Sequence, residues 1–171
     1  RTFGKLRAEL SSSFNYSKIN QFIQGQQSLN EQFTQTYRPE LRTNFKEAPN
    51  VSLKYRYSVS NNDQGSSSTK FITNAPSIDF DAYIWKSLTF KTDFTYTNQD
   101  DGVNPSQSYK TWDASLAYRK SEASKWEYEI KATNLLDIDS RVTNSANNLS
   151  VINSETFIQP RFVSFRVRYE I

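Results

Sequence analysis

The residues able to do chemistry in this sequence are carboxylates and cations, because it contains no Cys and no His. Without His, the commonest general base and metal ligand is missing, and Ser-His-Asp catalysis is excluded. Without Cys there is no thiol nucleophile, disulfide or thiolate metal site, and cysteine says nothing about compartment. Asp137 and Asp139 in DIDSR, and Asp100 and Asp101 in NQDDGVNPS, offer oxygen ligands for calcium. Neither pair has EF-hand spacing, and both read as solvated loop acids. Glu127 and Glu129 stand two residues apart, as paired catalytic carboxylates can. The Lys and Arg residues around them suit ion pairing better than acid catalysis. NYS, NVS and NLS match the glycosylation pattern, but such triplets recur by chance and two of them lie in strand patterns. NNDQGSSSTK, residues 61–70, reads as a flexible polar loop without phosphate-loop geometry. No catalytic constellation, cofactor or metal site is expected, and the chain reads as a non-enzyme.

The elements that hold these charges must therefore explain them. The chain has 171 residues, enough for one domain with a sizeable core. Its net charge of +3 comes from scattered residues, so no nucleic-acid partner is expected. Ten Tyr and twelve Phe sit in a sequence whose average is polar, which suits rings confined to one side of an alternating structure. No apolar run approaches the roughly 20 residues of a membrane helix. The opening RTFGKLRAEL has no Met and enters a strand pattern almost at once, which reads as a cut or processed edge.

Period 2 dominates and helical periodicity is nearly absent. Six clear strands are predicted over residues 5–17, 50–60, 88–97, 110–118, 125–132 and 162–171. Two weaker ones cover 33–45, which contains Pro39, and 71–84, which contains Pro76. Proline cannot donate to a ladder, so those two should be irregular or begin late. In the clear strands one face is uncharged, for example Trp126, Tyr128, Ile130 and Ala132. The other carries the ions, as in Lys125, Glu127, Glu129 and Lys131. The links alternate long (18–32), short (46–49), long (61–70), short (85–87), long (98–109), short (119–124) and long (133–161). Outer-membrane barrels link their strands in this way, with short periplasmic turns and longer external loops.

The rings follow the same logic. Trp85, Tyr118, Trp126 and Tyr169 fall near the short turns, and Tyr16, Tyr57, Tyr96 and Trp112 toward the long loops. Leu10, Leu53, Phe90, Leu116, Ile130 and Phe165 lie between. Two aromatic girdles around an aliphatic belt suit a bilayer. The expected fold is therefore an all-β, antiparallel, up-and-down transmembrane β-barrel segment of eight strands. The rings would face outer-membrane lipid and the charges a wet or ion-paired lumen. Matching charges across the last two strands predicts a register: Glu129 opposite Arg166, Glu127 opposite Arg168, Lys125 opposite Glu170. The same register sets Ile130 against Phe165, Tyr128 against Val167 and Trp126 against Tyr169.

The stretch KATNLLDIDSR followed by FIQPRFVSFRVRYEI resembles the end of TonB-dependent outer-membrane receptors. The matching residues are Asn134, Leu135, Leu136, Asp137, Pro160, Arg161 and the run 163–171, about 40 residues in all. The earlier strands match only in style. Ile171 stands where the family ends on an aromatic, although Tyr169 keeps a ring in phase. The resemblance implies the last eight strands of a barrel of about 22, in the bacterial outer membrane. It implies a nutrient-uptake receptor driven by the TonB complex through a plug not in this chain. It also implies that the last strand is read by the barrel-assembly machinery. Ligand contacts would then fall in residues 100–106 and 137–156, with the substrate unknown. Alternation fails at Leu135 and Leu136, where Asn134 and Asp137 favour a turn at the rim. Two other readings stay open: a complete eight-stranded structural or adhesive barrel, and a soluble ligand-binding β-barrel with Trp126 and Phe165 inward.

Overall fold

The computed structural model describes residues 2–23, 25–46, 49–65, 67–85, 87–121, 123–146 and 151–170. The strands are β1 (Thr2–Phe3), β2 (Leu6–Ile23), β3 (Gln26–Thr43), β4 (Asn50–Gln64), β5 (Ser67–Trp85) and β6 (Leu88–Asp100). They continue with β7 (Gln107–Tyr118), β8 (Trp126–Thr133), β9 (Ser140–Ala146), β10 (Val151–Phe157) and β11 (Phe162–Tyr169). One antiparallel up-and-down sheet runs β1-β2-β3-β4-β5-β6-β7-β8-β11, with eight full strands and the two-residue β1. Strands β9 and β10 form a separate hairpin between β8 and β11. The sheet is not closed. Among the described residues β11 pairs only with β8, and β1 covers only Leu6 and Arg7 of β2's outer edge.

Two links expected to be long loops are strand instead. Residues 18–23 and 26–32 continue β2 and β3 as far as the Ile23–Gln26 pair, and residues 61–64 and 67–70 continue β4 and β5 as far as the Gln64–Ser67 pair. Gly25 (φ +81°) and Gly65 (φ +65°), next to these last pairs, hold the left-handed backbone that tight reversals between strands favour. The extensions are rich in Ser, Asn and Gln. They stay extended because the ladder below propagates through backbone bonds that ignore side-chain type. The 98–109 link shortens to a loop at 101–106, and the 133–161 link contains the β9–β10 hairpin. The short connections remain at the opposite end.

Each proline breaks one ladder and spares the other. Pro39 keeps its place opposite Leu10 of β2, but β3–β4 pairing is interrupted between Tyr37/Tyr57 and Glu40/Lys54. Pro76 stays opposite Tyr55 of β4, but β5–β6 pairing is interrupted between Asn74/Asn98 and Ser77/Thr95. The missing N–H faces the broken side in each case. Both strands begin earlier than the sequence pattern suggests, at Gln26 and Ser67.

Candidate functional site: an apolar face, a rim knot and a polar face

Register and alternation sort the side chains into two faces. The apolar face gathers Leu10, Phe14, Leu53, Ile78, Leu116, Ile130, Val163 and Phe165, all exposed, with Phe165 at 66% and Leu10 at 70%. Trp85 reaches this face through a register shift between Tyr83 and Trp85, which sets it against Leu88. Plain alternation from Phe80 and Ala82 would have turned Trp85 the other way. The rings use their polar ends locally. Trp112 Nε1 donates to Thr92 Oγ1 at 2.8 Å, and the Tyr55 hydroxyl donates to Asn74 Oδ1 at 2.6 Å.

The rings of this face climb across the sheet. The pairing row of Trp112 runs through Phe94, Ile78, Leu53 and Leu41 to Ala8. Measured from that row toward the Gly25 and Gly65 end of the sheet, Tyr96 lies two residues on, Tyr57 four and Tyr16 eight. At the other end one row joins Trp85, Leu88, Tyr118, Tyr128 and Val167. Trp126 and Tyr169 pair two residues further toward the short connections, with ring centroids 4.7 Å apart. Between the two ring lines no described residue on this face is charged. The first charges beyond Tyr16 and Phe33 are Lys18 and Glu31, which pair with each other, and Lys110 stands 5.9 Å from the Tyr96 ring.

The polar face carries the ions. Arg166 stands opposite Glu129 at 3.4 Å and Arg168 opposite Glu127 at 2.9 Å. Ile130 lies against Phe165, Tyr128 against Val167 and Trp126 against Tyr169 in the same ladder. The outermost predicted ion pair differs. Glu170 donates its backbone N–H to the Lys125 carbonyl at 2.9 Å, so the two strands do meet there. Its carboxylate is taken instead by Arg119, at 2.6 and 3.3 Å, and Lys125 sits 5.8 Å from the Tyr169 ring. A guanidinium fork matches a carboxylate better than a point ammonium does. Three acids, Asp79, Asp93 and Asp113, stand opposite one another on β5, β6 and β7. Lys54 takes Asp79, and Asp113 Oδ1 accepts the Asn134 backbone N–H at 2.9 Å. This face is not free of apolar groups, because Phe71 is buried on it near Val103 and Pro105 of the 101–106 loop.

Residues 134–137 form a knot where β8 ends. Asn134 (φ +51°) is 7% exposed. Its Nδ2 donates to the carbonyls of Ile138 (2.9 Å) and Gln159 (3.0 Å), and its Oδ1 accepts the Ile138 N–H (2.9 Å). Leu135 donates its N–H to the Trp112 carbonyl at 2.8 Å, while Leu136 is exposed. Asp137 (φ +57°) accepts the Arg161 N–H at 3.1 Å, and its carboxylate lies 3.6 Å from the Arg161 guanidinium. Pro160 directly precedes Arg161 in the segment that leads back into β11. Asn134 thus ties the exit from β8 to the return into β11. The side-chain amide does what a backbone turn would do.

The β9–β10 hairpin lies over the polar face. Gln99 of β6 holds it like a short strand: Nε2 donates to the Asn144 carbonyl (2.7 Å) and Oε1 accepts the Asn144 N–H (2.6 Å). Beneath it is a cavity of about 370 Å³, lined by Arg38, Arg56, Thr97, Tyr109 and, from the hairpin, Val142 and Thr143. A second cavity of about 540 Å³ shares Arg38, Arg56 and Tyr109 and adds Arg141. Arg38, Tyr109 and Gln99 were not singled out from the sequence. The alternation of Thr34, Thr36, Arg38, Glu40 and Arg42 could have found the first.

The loop acids are spent on turns. Asp101 accepts from Asn104 Nδ2 (2.7 Å), Asn104 N–H (2.7 Å) and Val103 N–H (3.0 Å), and Asp100 accepts the Gly102 N–H (2.7 Å). Hydrogen bonds from Asn104, side chain first and then backbone, hold the Asp101 carboxyl below its ordinary value. Among the described residues no cluster of three or more acids is arranged to hold a metal ion. Within the ranges expected to contact ligand, residues 147–150, which include the NLS triplet, lie outside the described residues, as does Ile171. Comparison of the chain with protein-family models, with curated proteins and with solved structures finds no match to any of them.

Proposed function

We propose that this sheet is a section of the wall of a bacterial outer-membrane β-barrel, with the apolar face in lipid and the polar face in the lumen. The observation that carries this reading is the climb of the rings. From Trp112 to Tyr16 the offset is eight residues over five strand steps. At about 3.3 Å per residue and 4.8 Å per step, Trp112 and Tyr16 become level when the strands tilt by about 48°. Strands crossing a bilayer tilt by roughly 45°. Trp112, Tyr96, Tyr57 and Tyr16 follow that slope, Tyr37 and Tyr55 sit below it, and the lower rings climb two residues over the three steps from Trp126 to Trp85; a sheet solvated on this face has no reason to set four rings at its loop end on such a line. It also has no reason to keep charge out of the zone between the ring lines, where Lys or Arg costs about 2–4 kcal/mol in lipid.

On this reading the connections at 44–49, 86–87 and 119–125 are periplasmic. The extended hairpins, the 101–106 loop and β9–β10 are extracellular. The unpaired edges of β2 and β11 cannot face hydrocarbon, because bare backbone polar groups are too costly there. They must be completed by further strands, which favours a large barrel over a complete one of eight. A soluble barrel is disfavoured because Trp126 and Phe165 are exposed on the face away from the hairpin.

The Asn134–Asp137 knot, Pro160, Arg161 and the alternating last strand support assignment to the TonB-dependent receptors. In that assignment the wall and its loops capture a scarce nutrient. The TonB complex drives its entry through a plug outside these residues, and the assembly machinery reads β11. Two measurements test the proposal. Quenching of Trp85, Trp112 and Trp126 by brominated lipid should be strong, with Trp112 and Trp126 responding to opposite leaflets. A strain lacking the gene should lose growth on a nutrient whose uptake also fails without TonB. Weak quenching removes the membrane wall, and growth on every TonB-dependent nutrient removes the receptor.

A further inference from the structure

Among the described residues the polar face holds a cluster of cations that the wall does not use. Lower on the face, Lys91 and Lys131 share a cavity with Asp79, Asp81, Asp93 and Asp113, so acid is plentiful there. Under the β9–β10 hairpin the balance reverses. Arg38 and Arg56 line the 370 Å³ cavity, which has no carboxylate in its lining. Both also line the adjoining 540 Å³ cavity with Arg141, where Glu9 is already paired with Arg7, and Lys54 with Asp79. The remaining acid, Glu40, accepts a hydrogen bond from Ser52 Oγ at 3.2 Å. Among the described residues none of the three arginines forms an ion pair.

We propose that these two joined cavities bind a small, multiply charged oxyanion, a ligand bearing carboxylate or phosphate groups, beneath the β9–β10 hairpin. Three guanidinium forks offer paired donors to planar oxyanions. Tyr109 and Thr97 add hydroxyl donors, and the volume falls within the usual range for small-ligand sites. The site is assembled from two elements: the wall supplies Arg38 and Arg56, and the hairpin clamped by Gln99 supplies Arg141. The inference rests on the polar face being a water-filled lumen, and it narrows the nutrient to an anion.

The test uses the protein expressed from its own gene, held in detergent micelles and titrated calorimetrically with pyrophosphate and, separately, with propane-1,2,3-tricarboxylate. The two probes distinguish a phosphate ligand from a carboxylate one. At least one should bind, with Kd weakened about tenfold or more by Arg56→Gln and by Arg141→Gln. Arg56→Lys should rescue part of the loss, and Arg166→Gln should leave Kd unchanged. Equal binding by all variants would mean unspecific attraction and overturn the site. Absence of binding in the folded protein overturns it as well, the result expected if acidic side chains elsewhere in the protein occupy the arginines. Strand circular dichroism and heat-dependent gel migration, read with and without detergent, report the membrane reading separately.

Discussion

Replacing Phe165 with Arg separates lipid from water on the apolar face more sharply than any other single change. Phe165 is 66% exposed and packs beside Ile130 and Tyr128, whose ring centroid is 6.4 Å away. Were that face solvated, exchanging one exposed side chain for another would change stability by no more than about 0.5 kcal/mol. In lipid the outcome depends on depth. Phe165 lies four residues from Tyr169, which is about 13 Å along the strand. At a tilt near 45° that is roughly 9 Å above the lower ring line, in an apolar band about 25 Å tall. That depth is near the middle, where Arg costs about 2–4 kcal/mol, and the lost cross-strand contact with Ile130 adds about 0.2–1 kcal/mol. We therefore expect Phe165→Arg to destabilise the protein by about 3 kcal/mol in guanidinium titrations from lipid vesicles, followed by tryptophan fluorescence. Phe157→Arg is the control. Phe157 is still more exposed, at 79%, but belongs to the β9–β10 hairpin, and its change should be within about 0.5 kcal/mol. Equal effects at the two positions would refute the reasoning.

Asn134→Ala removes three hydrogen bonds from a buried residue with left-handed backbone, and should cost about 2–4 kcal/mol by the same titration. Asn134→Gly keeps the backbone freedom and should lose less. Gln99→Ala should leave global stability within about 1 kcal/mol while releasing β9, read as faster proteolysis within 140–157. The Asp101 carboxyl is held below its ordinary value, so its support of the 101–104 turn is present above that value and lost as pH falls through the folded one. Nuclear magnetic resonance should show the Val103 and Asn104 amides shifting in that acidic window, and Asp101→Asn should abolish the shift.

The sequence made the β8–β11 register legible because its alternation sets Glu129 against Arg166, Glu127 against Arg168 and Trp126 against Tyr169 in one alignment. The long hairpins were not legible. Residues such as Ser28 and Ser68 pair with Gln21 and Asp63, so polar side chains leave no face marked there, and they are extended because the sheet beneath them already is. Trp85 carried the right residue type, but the shift that turns it to the apolar face leaves no trace in the alternation. The cluster under the hairpin escaped for a different reason. Gln99 meets Asn144 across 45 positions through an amide imitating backbone, and Arg38 sits in a strand whose proline weakened the pattern.

The two prolines have a mechanical consequence. Tyr55 lies beside both, paired in register with Pro76 and facing the interrupted stretch next to Pro39. The β4–β5 ribbon is continuous within itself, yet its stitching to β3 and to β6 is missing at nearly the same height. Bending of the sheet will therefore concentrate along this ribbon rather than spread evenly. The compliant zone lies level with Arg38 and Arg56, so the part of the sheet that yields most readily is also the part that presents two of the three guanidiniums.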